Sequence, residues 1–169
     1  KSLTVYPGMT GMVENAFINV KGVRHTIAAD VELKDGRTSG VIVAQAGYFG
    51  GWVLYMKDGK VHHEYNWFAL ERTNVAGSTP LAPGKHTISY EFIPDAAKPG
   101  TGGKSILSVD GVKVAEGRIP KTQPFAFSGD EIGLVGGYGT GGTSWVSRTT
   151  DGGATWSTHS LAPTYVGNA

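Results

Sequence analysis

Asp58-Gly59 sits at the centre of a stretch, Trp52 to Trp67, that can be paired with itself residue by residue. A two-residue type I′ turn needs positive φ at both centres, and Asp-Gly supplies it. Counting outward sets Met56 against Val61, Leu54 against His63 and Trp52 against Tyr65 on one face. Tyr55 with His62 and Val53 with Glu64 fall on the other. This register keeps apolar partners together, and a slip of one residue would break every pair. A second turn of the same kind is expected at Asp110-Gly111, with Val109 opposite Val112, Leu107 opposite Val114, and Ser108 opposite Lys113 behind.

Period-two alternation continues outside the hairpins. Ile27, Ala29, Val31 and Leu33 alternate with Thr26, Ala28, Asp30, Glu32 and Lys34, the pattern of a half-buried strand. Lys85 to Ile93 repeats it with Ile88, Tyr90 and Phe92 inward. The short apolar run Val41 to Ala44 reads as a central strand covered on both faces, and Pro94 to Gly103 as a loop. No helical stripe exceeds two turns. About ten to twelve short strands separated by turn signals predict an all-β protein, an antiparallel β-sandwich of jelly-roll type.

Composition supports that class. Gly is 26 of 169 residues and charged residues are 17%, against about 25% in an average domain. A chain of this length buries about 69% of its extended surface, enough for a core without staples. Cysteine is absent, which excludes disulfides, thiolate metal sites and a cysteine nucleophile. A net charge of +1 without a basic run gives no support to nucleic-acid or anionic-membrane binding. No apolar run approaches the ~20 residues of a membrane helix. The amino terminus carries no signal-like run, so a periplasmic or secreted protein is expected to have lost its signal. The sandwich is expected over 1–135. A Gly-rich connection and a β-hairpin tail are expected over 136–169, because Gly136 to Gly142 holds five Gly in seven residues.

Few residues invite chemistry. Asp30 and Glu32 share a strand face, as the acids of sandwich-fold glycosidases do, but that face is the polar side of an amphipathic strand. Asp130 and Glu131 are adjacent and would diverge if extended. His62 and His63 are strand neighbours, which cannot both hold one ion without a bulge, so a packed histidine beside an exposed one is expected. His25, His86 and His159 read as isolated.

The aromatic set is richer. Tyr48, Phe49, Trp52, Tyr55, Tyr65, Trp67 and Phe68 crowd into 21 residues, most of them expected in the core or at an interface. Outward-facing Tyr55, with His62, Glu64 and Asn66 beside it, offers a ring to stack on a sugar and polar edges for its hydroxyls. Tyr48 joins that ligand-binding set, and Arg72 adds a group for a sulfate or carboxylate. No catalytic residue is assigned. A structural Ca²⁺ is a lesser expectation, with Asp35, Asp58, Asp95 and Asp130 as loop ligands and no EF-hand spacing.

Several strings together resemble one family. Tyr6-Pro7-Gly8-Met9-Thr10-Gly11-Met12 and Glu14-Asn15-Ala16-Phe17-Ile18-Asn19-Val20-Lys21 are similar to the start of the C-terminal region of bacterial arylsulfatases. Gly40-Val41-Ile42-Val43-Ala44-Gln45, Phe49-Gly50-Gly51-Trp52, Tyr65-Asn66-Trp67 and Val114-Ala115-Glu116-Gly117-Arg118-Ile119 extend the likeness, which runs from about Leu3 to Ile132. The resemblance implies a laminin G or concanavalin-like jelly roll that follows a catalytic domain. It implies packing on that domain or another protein partner, with a saccharide or sulfated glycan as candidate ligand. It does not bring the sulfatase centre. The formylglycine motif needs Cys or Ser followed at fixed spacing by Pro and Arg, and Ser78-Thr79-Pro80-Leu81-Ala82 ends in Ala. The tail string Thr149-Thr150-Asp151-Gly152-Gly153-Ala154-Thr155-Trp156 resembles an Asp-box, a structural turn of sialidase-type propellers that needs several copies to build one. Two further readings stay open: a stand-alone lectin-like module, and a concanavalin-like glycosidase or lyase using Glu32 or Glu64.

Overall fold

The computed structural model describes residues 1–47 and 49–127, and the backbone of 133–138, 144–149 and 157–161. Two compact units are present, Lys1–Phe127 and Ser128–Ala169. Among the described residues there are eleven strands, all pairing antiparallel, and the only helical element is one 3-10 turn at Glu14–Ala16.

The first unit is a β-sandwich of two four-stranded sheets. Sheet A runs in the order β1 (His25–Leu33), β6 (Gly84–Pro94), β7 (Thr101–Val109), β8 (Val112–Lys121). Sheet B runs in the order β2 (Gly40–Gly47), β3 (Gly50–Lys57), β4 (Lys60–Trp67), β5 (Glu71–Ala76). Pairing is local in sheet B, where each strand lies beside its successor. Sheet A pairs β1 with β6, so Ile27 faces Tyr90 and Val31 faces His86.

Alternation decides which residues meet inside. Ile88, Tyr90 and Phe92 of β6 and Leu107 and Val109 of β7 face Trp52, Leu54 and Met56 of β3 and Val61 and Tyr65 of β4 in one core. Leu54, Ile88 and Leu107 are fully buried, a gain of about 1.5–3 kcal/mol each over exposure. His63 is also inside, and its ring stacks on Tyr90 of the opposite sheet with centroids 3.6 Å apart. The amino-terminal segment closes one side. Val20 is buried, and Phe17 lies 6.2 Å from Trp52, ring to ring. Glu14 accepts hydrogen bonds from Lys21 Nζ (2.7 Å) and from the Phe127 backbone N–H.

Both Asp-Gly turns form. Asp58 and Gly59 have φ of 50° and 74°, Asp110 and Gly111 of 51° and 80°, and the β3–β4 register is the one counted from the sequence. Gly59 is needed twice over, because a Cβ there would also lie 2.1 Å from the Gly36 carbonyl oxygen. The second hairpin slips. Val109 pairs with Val112 and Ser108 with Lys113, but Leu107 pairs with Ala115 rather than Val114. A bulge absorbs the extra residue of β8.

Three other expectations change. Val41 to Ala44 is not a central strand: β2 is the edge of sheet B and Val41 is 68% exposed. A bulge between Val41 and Val43 leaves Ile42 and Val43 half-buried against the core, so the apolar run reflects a local bend, not cover on two faces. The Pro94–Gly103 loop shrinks to Asp95–Gly100. Gly102 and Gly103 lie inside β7, where a Cβ on Gly103 would meet the Phe92 ring at 2.6 Å. In the second unit β9 (Gly133–Tyr138), β10 (Ser144–Thr149) and β11 (Ser157–Leu161) form a three-stranded sheet in the order β11-β10-β9. Gly136 and Gly137 belong to β9, opposite Val146 and Trp145. Asp130 and Glu131, and residues 150–156 of the Asp-box-like string, lie outside the described residues.

Candidate functional site

The Asp58-Gly59 turn fixes what the outer face of sheet B displays. Strand alternation places Tyr55 and His62 opposite each other and outward, and β5 adds Asn74 and Arg72 opposite Glu64 and Asn66. Tyr55 and His62 stack with centroids 4.9 Å apart and planes 22° apart. Asn74 joins them: its Nδ2 donates to Tyr55 Oη (3.1 Å), and its Oδ1 accepts from His62 Nδ1 (3.2 Å). These bonds orient the cluster. Tyr55 O–H is left to donate outward, with the free Nε2 edge of His62 beside it and a flat ring next to both. Next to them Arg72 Nη1 donates to Glu64 Oε1 (3.3 Å), an exposed ion pair.

Tyr55, His62, Glu64 and Arg72 are therefore brought to one face. Tyr48 lies outside the described residues. Asn66, also on that face, spends its Oδ1 on the backbone N–H of Ala69 and shapes the β4–β5 turn. Trp52 and Tyr65 belong to the core, where Tyr65 Oη accepts from the Gln123 N–H (2.7 Å) and burial pushes its pKa up to about 12.

Asp30 and Glu32 project from the exposed side of β1, and Asp30 accepts from the Thr87 hydroxyl (2.8 Å). His62 and His63 diverge as their adjacency requires, one outward and one buried. Burial holds the His63 pKa down to about 3, with the nearby His25 a smaller cause, so its ring is neutral at pH 7. The described aspartates named for calcium have separate tasks. Asp35 accepts from the Arg37 N–H and the Thr38 hydroxyl, Asp58 forms its turn, and Asp95 pairs with Arg118 through both oxygens. Among the described residues no three His, Asp or Glu side chains are grouped as metal ligands.

Two groupings have no sequence signal of their own. Asn74 is positioned by the β4–β5 pairing, and the turn behind that pairing uses Phe68 and Ala69 at φ of 52° and 57° where Gly or Asn would announce it. His86 is not isolated. Its Nδ1 meets Asp110 Oδ2 (2.7 Å) and its Nε2 meets the Ala82 carbonyl (2.9 Å). Two acceptors on one ring favour the imidazolium, and the Asp110 bond is the larger cause of its raised pKa.

No family model, curated protein or solved structure matches this chain.

Proposed function

We propose that this chain is a non-catalytic accessory domain that holds carbohydrate on the outer face of sheet B, beside a catalytic domain on which it packs. The reading rests on the Tyr55–His62 stack with its Asn74 bridge. An aromatic platform with fixed donors and acceptors at its rim suits a sugar, whose ring faces are apolar and whose edges carry hydroxyls. Glu64 is engaged by Arg72 and Asp30 by Thr87, an arrangement that supports gripping over acid–base work.

The likeness of Tyr6 to Met12, Glu14 to Lys21 and Val114 to Ile119 to the C-terminal region of arylsulfatases supports the accessory role. The finer fold proposed is the laminin G or concanavalin-like jelly roll. Its support is the passage of the chain from sheet A to sheet B after β1 and back before β6. Packing on a partner is supported at one end of the sandwich. There Phe68 (38% exposed), Leu70 (79%) and Phe125 (81%) lie on segments tied together through the Phe49 backbone.

A polysaccharide panel in affinity gels tests the carbohydrate reading. Retardation by at least one polymer is expected, and Tyr55→Ala should weaken it about tenfold, the loss of about 1–2 kcal/mol of stacking and contact area. Binding that survives Tyr55→Ala unchanged, or no binding to any polymer, would refute it.

A further inference from the structure

The type I′ turn that sets up the Tyr55–His62 stack has a second consequence. It makes Lys57 and Lys60 cross-strand partners, both outward, at the next positions along the same face. Like charges directly opposite on a sheet are unfavourable. On β5, β7 and β8 the outward cations are balanced: Lys104, Lys113, Arg118 and Lys121 of β7 and β8 each face a carboxylate, and Arg72 of β5 faces Glu64. Lys57 and Lys60 have no ion pair among the described residues.

The acids near them are few. Asp58 lies within the turn, and Asp35 in the adjacent loop is engaged with the Arg37 N–H and the Thr38 hydroxyl. That loop also carries exposed Arg37, and Gly59 N–H donates to Thr38 O beneath the turn. Distance suits a sugar substituent. Two residues of strand advance about 7 Å, so the ammonium groups begin roughly one sugar ring beyond the stack. On the other side Glu64 is paired with Arg72, so the unbalanced charge of this face is positive and sits at the turn.

We infer that this face takes an anionic polysaccharide, with a sulfate or carboxylate at Lys57 and Lys60 and the neighbouring ring on Tyr55 and His62. The inference rests on the carbohydrate reading above and narrows it. Affinity electrophoresis against dextran, starch, dextran sulfate and alginate tests it, the last two separating sulfate from carboxylate. Wild type should bind an anionic polymer more tightly than either neutral one, and less tightly as ionic strength rises. Lys57→Gln/Lys60→Gln should weaken that binding about tenfold, the scale of a charge-assisted hydrogen bond. Lys104→Gln/Lys113→Gln, on the opposite sheet, should change it less than about twofold.

Equal loss in both double variants would mean diffuse charge attraction and would overturn the inference. Tight binding of a neutral polymer, unaffected by Lys57→Gln/Lys60→Gln but lost in Tyr55→Ala, would overturn the anionic class while leaving the carbohydrate reading standing. No binding to any polymer would overturn both.

Discussion

Acidification from pH 7 to pH 5 should destabilise the sandwich through His63. The ring lies in the core against Tyr90, its pKa is held down to about 3, and its Nδ1 is buried with no hydrogen-bond partner. An unfolded histidine titrates near 6.5, so between that value and 3 the unfolded chain binds more protons than the folded one. Stability from this group is complete above pH 6.5 and is lost as pH falls toward 3. Integrated from pH 7 to pH 5, the loss is about 2 kcal/mol, and it depends little on the folded value while that value stays below 4. Carboxylates contribute little in this window.

His86 acts in the opposite direction, because its pKa is raised by Asp110. A comparison with His63→Leu cancels that contribution, since His86 lies on β6 away from the His63 ring. Leucine has similar volume, does not titrate and removes the unpartnered Nδ1, so no large loss is expected at pH 7. Urea unfolding of both proteins at pH 7 and pH 5 reads the effect. Wild type should lose about 2 kcal/mol more than the variant on acidification. Equal losses within about 0.5 kcal/mol would refute the reasoning.

Gly59→Ala should cost about 2–4 kcal/mol in urea unfolding, combining an αL penalty with displacement of the Gly36 carbonyl; a loss below about 1 kcal/mol would mean the turn relaxes freely. Asp110→Asn should return the His86 pKa toward 6.5, read from its ring protons by NMR. The stabilisation by this pair, present below pH 6.5 and lost as pH rises through the raised His86 value, should then disappear. An unchanged His86 titration would show that Asp110 is not its cause.

The parts legible in the sequence are those decided locally. Asp58-Gly59 and Asp110-Gly111 announce their turns because few other pairs reach positive φ cheaply, and the β3–β4 register follows by counting. The pairing of Tyr55 with His62 is part of that register. Asn74 was hidden because Phe68-Ala69 makes an αL turn without the residues that signal one. Gly102 and Gly103 misled because glycine serves close approach as well as turns, and only the Phe92 ring and the Pro120 carbonyl oxygen tell which. Sheet order lies further from local pattern. Val41 to Ala44 reads as a buried strand until the sheet is assembled and its edge position appears.

Sugar held on the outer face of sheet B should lie against Tyr55 and His62. Backbone NMR shifts, followed while adding oligosaccharides of the polymer selected by the gels, test it most directly. Saturable shifts confined to β3, β4 and β5, largest near Tyr55, His62 and Asn74, are expected. Shifts centred on the outer face of sheet A, around Asp30 and Glu91, would contradict it.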